Sequence, residues 1–151
     1  MAGEALKPEF YFAYGSNLDE RQMLDRCPDS RPVFRARLRG HRLDFTHFSA
    51  SRWQGGTADI VPDDDEAVWG LVYEMGDGDF AKLDRWEGGY ERVALIVEDD
   101  AGKRHEVTSY TVREKGSFPP HEIYLAKILS AAERLGFPSE YVAALRARYC
   151  P

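Results

Sequence analysis

The chain of 151 residues carries 26 acidic and 20 basic side chains, a net charge of −6, so it lacks the cationic balance that binding to duplex nucleic acid draws on. Its 43% apolar and 13% aromatic content predicts one packed core, with residues 1–151 as a single domain and no disordered stretch. No run approaches the ~20 apolar residues of a membrane helix. Cys27 and Cys150 have no metal-ligand spacing, and no basic region followed by an apolar run opens the chain. The expectation is therefore a cytoplasmic protein with reduced thiols, no membrane or nucleic-acid partner, and no metal. Oligomeric state is not readable from these features.

The first structured element is Tyr11-Phe12-Ala13-Tyr14-Gly15-Ser16-Asn17-Leu18, an aromatic strand running into a tight turn. Gly15 is free to take a positive φ, while Ser16 and Asn17 suit a turn whose amides point outward. Asp19 is the expected N-cap of a short helix beyond. Strand end, glycine turn and helix start together form a nest of N–H groups fit for a carboxylate or a polarised carbonyl oxygen.

Strands are predicted over residues 32–39 and 42–48, separated by a turn at Gly40. Alternation there places Arg35, Arg37 and Arg39 on a solvated face rather than in a nucleic-acid patch. Residues 56–61 and 67–73 follow as strands, divided by the acidic turn Pro62-Asp63-Asp64-Asp65. Over 77–86 the period changes: Phe80, Leu83 and Trp86 fit one face of a short helix that begins near Asp77 or Asp79. Strands at 90–97 and 105–112 then flank a hairpin turn at Asp99-Asp100-Ala101-Gly102. Helices over 123–135 and 139–149 complete the order, with Gly136 closing the first and Ser139 capping the second. Strands, an inserted helix, more strands and then helices predict an α+β fold, a curled sheet or small barrel covered by helices.

Glu87 is the residue with chemical potential. It stands between Trp86 and the pair Gly88-Gly89, where a partly desolvated carboxylate gains a raised pKa and serves as a base that later returns its proton. The alternative is a solvated residue past a helix end, and the local sequence does not separate the two. His41, His47, His105 and His121 show no metal-ligand pairing. Ser16 lacks the context of a hydrolase elbow, and Gly76-Asp77-Gly78 lacks a phosphate-binding fingerprint.

Taken together, Tyr11 through Leu18, Trp53-Gln54-Gly55-Gly56-Thr57, Glu66-Ala67-Val68-Trp69-Gly70, Leu83-Asp84-Arg85-Trp86-Glu87-Gly88, Ser109-Tyr110 and Pro119-Pro120 through Tyr124 resemble the gamma-glutamylcyclotransferase family. The pieces fall in the family's order across nearly the whole chain. The resemblance implies a small mixed β-barrel with flanking helices and a cavity at its mouth. It implies that a γ-glutamyl group cyclises to 5-oxoproline and releases an amino acid or amine, with no cofactor. Glu87 matches the family's proton acceptor. Tyr11, Phe12, Ala13, Tyr14, Gly15, Ser16 and Asn17 match the substrate-binding segment, and Tyr124 matches a later tyrosine that contacts substrate. In one departure, only Gly88 and Gly89 separate Glu87 from Tyr90, a shorter link than glutathione-pathway enzymes are expected to have. The substrate class stays open among γ-glutamyl amino acids, γ-glutamylamines and γ-glutamyl-protected metabolites. An amide hydrolase that yields free glutamate and a non-catalytic ligand-binding module are the competing readings.

Overall fold

The computed structural model describes residues 8–150. Its chain order is β1 (Glu9–Ala13), a 3-10 turn (Ser16–Leu18), α1 (Glu20–Arg26), β2 (Arg31–Ser49), β3 (Gly55–Met75), α2 (Asp79–Asp84), β4 (Tyr90–Asp99), β5 (Arg104–Val112), α3 (Glu122–Arg134) and α4 (Ser139–Tyr149). The strands close into a barrel in the order β1-β3-β2-β4-β5. Neighbours are antiparallel except β1 and β5, which run parallel and pair at Tyr11 and Thr108. Side chains reinforce that seam. The Ser109 hydroxyl donates to the Phe12 carbonyl at 2.7 Å, and the Tyr14 hydroxyl donates to the Tyr110 carbonyl at 2.7 Å. This seam places the ends of β1 and β5 beside the start of β4.

The four strands expected between residues 32 and 73 are two long ones. β2 continues through Gly40, which sits at φ +77°, and β3 continues through the acidic segment. Arg39 pairs with Ala67 and His41 with Pro62, so Gly40 bulges from one strand while residues 63–66 bulge from the other. Glycine and acidic residues that read as strand stops instead make a bulge, which bends a pair without ending it. Ala36 and Leu38 point into the core, while Arg35 pairs with Asp100 and Arg39 with Glu98 on the outer face. The alternation holds, but only Arg39 is exposed; Arg35 and Arg37 are half-buried over the Trp69 ring.

Other elements follow the expected pattern with local differences. Asp19 caps α1, its carboxylate accepting from the amides of Arg21 and Gln22. α2 starts behind Gly78 at φ +78° and buries Phe80 and Leu83, but Trp86 lies beyond its end and is 41% exposed. α3 is capped by the His121 ring, which accepts from the Ile123 amide, and it turns off at Gly136, φ +71°. α4 begins directly behind Pro138; Ser139 is its first residue and caps nothing, because proline's fixed φ already sets the helical entry. α3 buries Tyr124, Leu125, Ile128, Leu129, Ala131 and Ala132, and this face is what carries Tyr124 to the barrel. No helix among the described residues is long and apolar enough to cross a membrane.

Candidate active site

Tyr11, Tyr14, Gly15, Ser16 and Asn17 form one wall of a recess of about 40 Å³; Ala58, Glu87, Tyr90, Tyr110 and Tyr124 complete it. Residues from β1, β3, β4, β5, α3 and the link after α2 thus meet at one end of the barrel. The recess shares Ser16, Glu87, Tyr90 and Tyr124 with a vestibule of about 300 Å³ that opens outward. Phe12 and Ala13, two of the expected substrate-binding residues, do not line either space. Both are fully buried, and the Phe12 ring packs so tightly on Gly70 that a Cβ there would stand 2.5 Å from it. The period-2 alternation of a strand turns Phe12 away while its neighbours Tyr11 and Ala13 sit on the opposite face.

Gly15 works differently from the expectation. Its φ is −116°, not the positive value expected. What it supplies is space: a Cβ would lie 3.0 Å from the Ala58 Cβ and 3.4 Å from the Tyr124 hydroxyl. The amides of Gly15 and Ser16 have no acceptor among the described residues, while the carbonyls of both are used by the amides of Leu18 and Asp19. Asn17 braces the turn. Its amide group donates to the Tyr11 hydroxyl at 3.0 Å, its Oδ1 accepts from Gln22 at 2.9 Å and Arg26 at 3.0 Å, and its carbonyl accepts from Tyr73 at 2.7 Å.

Each phenol of the recess is fixed by a partner. Tyr124 accepts from the Ala58 amide at 2.9 Å, which leaves its own proton available to a ligand, and Tyr90 donates to the Ala58 carbonyl at 2.6 Å. Tyr110 donates to Asp84 at 2.6 Å. Burial holds the phenols of Tyr11, Tyr14, Tyr90, Tyr110 and Tyr124 above their ordinary pKa, so they are neutral hydrogen-bonding groups at physiological pH.

Glu87 is partly buried between the two spaces, and no hydrogen bond contributes to the state of its carboxyl. Burial raises its pKa from 4.5 to about 7, against the opposing pull of Arg26 and Arg52, with Asp84 adding to the rise. The link to β4 is tight: the Tyr90 amide donates to the Glu87 carbonyl at 3.0 Å. Gly89 sits at φ +87°, and a Cβ on it would come 2.3 Å from the His47 ring. That close approach requires glycine and holds Glu87 at the junction. Glu87 is half-buried, and burial is the largest influence on its carboxyl. Such a carboxylate can take and return a proton near neutral pH.

The family profile described as AIG2-like family matches residues 67–145. The chain is 35% identical to a gamma-glutamylcyclotransferase of Mus musculus, over 97% of this chain and 81% of that protein. It is 33% identical to a Homo sapiens gamma-glutamylcyclotransferase over 91% and 77%. A solved gamma-glutamyl cyclotransferase structure superposes with a TM-score of 0.88 at 32% identity, covering 93% of this chain and 88% of that one. This chain belongs to the AIG2-like, gamma-glutamylcyclotransferase family. The small mixed five-stranded barrel with flanking helices is that family's fold, and gamma-glutamylcyclotransferase-like activity is supported at the level of the family.

Lining residues that the sequence analysis did not put forward as site residues are Ala58, Tyr90, Tyr110, Arg26 and Arg52. Tyr90 and Tyr110 did carry a signal. They are aromatic positions on strands that pair with each other's neighbours, Tyr90 with Val112 and Arg92 with Tyr110. Only barrel closure shows that both rings face Glu87.

Proposed function

We infer that this protein cyclises the γ-glutamyl group of a small molecule to 5-oxoproline and releases the attached amino acid or amine, with Glu87 as the proton carrier. One observation carries the reading: a carboxyl with a pKa near 7 borders a recess walled by neutral phenols and by the unpaired amides of Gly15 and Ser16. The substrate α-amine is an ammonium at neutral pH and must lose a proton before it attacks. Glu87 accepts that proton. The amine nitrogen then bonds to the γ-carbonyl carbon, and negative charge builds on the carbonyl oxygen. Donors in the wall, such as the Gly15 and Ser16 amides or the Tyr124 hydroxyl, are suited to that oxygen or to the glutamyl carboxylate. Protonated Glu87 next delivers its proton to the leaving nitrogen as the C–N bond breaks. The ring nitrogen, still carrying two protons after attack, gives up the second to become the lactam N–H, while the released amine takes a proton to leave as an ammonium. Both reacting groups belong to one molecule, so holding the chain folded supplies much of the acceleration, up to ~7–11 kcal/mol in favourable intramolecular cases.

The test is a mass-spectrometric screen of γ-glutamyl amino acids and γ-glutamylamines with the purified protein and a Glu87→Gln control. Release of 5-oxoproline that depends on Glu87 is the expected result. Free glutamate in its place would make water the nucleophile and the protein a hydrolase. Ligand-induced stabilisation with no product would make it a binding module.

A further inference from the structure

Only Gly88 and Gly89 join Glu87 to β4, and neither can anchor itself with a side chain. Glycine loses more backbone freedom on ordering than any other residue, so such a link needs support from outside. Its ends are tied by backbone bonds. The Glu87 amide donates to the Asp84 carbonyl at 3.1 Å, the Tyr90 amide to the Glu87 carbonyl at 3.0 Å and the Arg113 amide to the Gly89 carbonyl at 3.0 Å. Between those ends the side-chain support is a histidine. A Cβ on Gly88 would meet open space, whereas one on Gly89 would stand 2.3 Å from Nε2 and 2.7 Å from Cδ2 of the His47 ring.

The local structure of β2 explains how His47 arrives there. The register against β3 slips between Phe45, which pairs with Ala58, and His47, which pairs with Thr57. A bulge of this kind bends a strand and re-aims the side chain beyond it. His47 lines the vestibule and its ring reaches Tyr90 of β4, centroid to centroid 5.4 Å. A chain of hydrogen bonds sets the orientation of the ring. Tyr90 gives its single proton to the Ala58 carbonyl at 2.6 Å, so its oxygen accepts from the Thr57 hydroxyl at 2.7 Å. The approach of that hydroxyl to the His47 carbonyl is longer, 3.2 Å. With its proton directed to Tyr90, the Thr57 oxygen accepts from His47 Nδ1 at 3.3 Å, and Nε2 is the edge turned to Gly89.

Resting on the cyclotransferase reading, we propose that His47 is a positioning residue for the proton transfer: its ring clamps the two-glycine link and so holds the Glu87 carboxyl between recess and vestibule. The proton carrier must face first the α-amine and then the leaving nitrogen, and a misplacement of about 1 Å can cost on the order of 100-fold in rate. Without the ring, the glycine pair gains backbone states, and fewer molecules hold Glu87 in place. His47 acts through the link and exchanges no proton with the substrate.

Two measurements on the full chain test the clamp. The first needs no substrate: amide hydrogen exchange, followed by NMR. The Tyr90 and Arg113 amides, which bond to the link, are expected to lose about tenfold or more of their protection in His47→Ala, while the protected amides between Arg92 and Val97 keep theirs. His47→Phe, which keeps a ring against Gly89, is expected to restore it. The second is 5-oxoproline release from γ-glutamylalanine. His47→Ala is expected to lower kcat by roughly 10–100-fold and to leave KM within about threefold. His47→Phe should recover most of kcat, whereas His47→Asn, which can donate to Thr57 but leaves Gly89 uncovered, should not. Unchanged protection of the Tyr90 and Arg113 amides in His47→Ala overturns the proposal. So does protection lost equally along all of β4, which would be general loosening. A raised KM with unchanged kcat also overturns it, because His47 would then touch the substrate, and recovery by His47→Asn but not by His47→Phe rules out the ring contact. If no γ-glutamyl compound of the screen yields 5-oxoproline but the exchange pattern is as expected, the clamp stands and the cyclotransferase reading falls.

Discussion

Two carboxylates at the same end of the barrel receive opposite treatment. Asp59 has no exposed surface, and every lone-pair direction is used. It accepts from Thr46 at 2.7 Å, the Ile60 amide at 2.9 Å, Thr111 at 2.9 Å, the Val112 amide at 3.1 Å and Lys115 at 2.6 Å. Glu87 is less deeply buried, receives no such bonds, and titrates at about 7. The difference teaches which buried acid is structural. A carboxylate whose hydrogen bonds are complete organises its neighbours, whereas a desolvated one left without partners can exchange a proton. What Asp59 organises is the segment after β5. That segment continues with the Gly116 and Phe118 amides on the carbonyls of Thr46 and Phe45, and with the Pro119 carbonyl on the Gly56 amide. It ends at α3, which brings Tyr124 into the recess.

This contrast breaks if the two acids respond alike to substitution. Glu87→Gln is expected to lose turnover by roughly 10²–10⁴-fold while the protein stays folded; 5-oxoproline release alongside circular dichroism checks both halves. Near-normal turnover in a folded variant would remove Glu87 as the proton carrier. Asp59→Ala should act on stability first, by about 3 kcal/mol, because it strands buried hydroxyls and amides along with Lys115. Denaturant unfolding reads this effect, and a loss below about 1 kcal/mol would show the network to be dispensable.

Stability as a function of pH sharpens the same comparison. The folded carboxyl of Glu87 is raised from 4.5 to about 7, so its protonated form favours the fold. That contribution is complete below 4.5 and is lost as pH rises through 7. Glu87→Gln should therefore be more stable than the wild type at alkaline pH, on the order of 1–3 kcal/mol, and the gain should fade in acid. A gain that is independent of pH would mean packing, not charge, is responsible. The smallest effect is expected from Tyr124→Phe. It leaves the Ala58 amide unpaired at a cost of about 1 kcal/mol and should raise KM more than it lowers kcat. An unchanged KM would deny the hydroxyl a binding role.

Much of the fold was legible because it is local. The aromatic strand and its turn, the Asp19 cap, the β4–β5 hairpin and the two C-terminal helices each depend on residues close in sequence. Glu87 was visible as a carboxylate beside an indole and two glycines, although its solvated alternative was equally open. The continuity of β2 and β3 was not legible, since Gly40 and the acidic run look the same whether they end a strand or bulge from one. Nor was the position of Trp86: a spacing of three places it on the helix's apolar face only if the helix extends that far, and α2 stops at Asp84.

By itself, the sequence determined the alternation, caps and turn chemistry of this protein, along with the family motifs, because these depend on side-chain type and spacing of a few residues. Tertiary structure alone decided which groups meet. The parallel contact of β1 with β5 and the docking of α3 bring Tyr11, Tyr90, Tyr110 and Tyr124 around one carboxyl. They also leave Phe12 and Ala13 in the core and gather three arginines at the mouth. The raised pKa of Glu87 belongs to that assembly, since desolvation is a property of everything packed around a group and not of its neighbours along the chain.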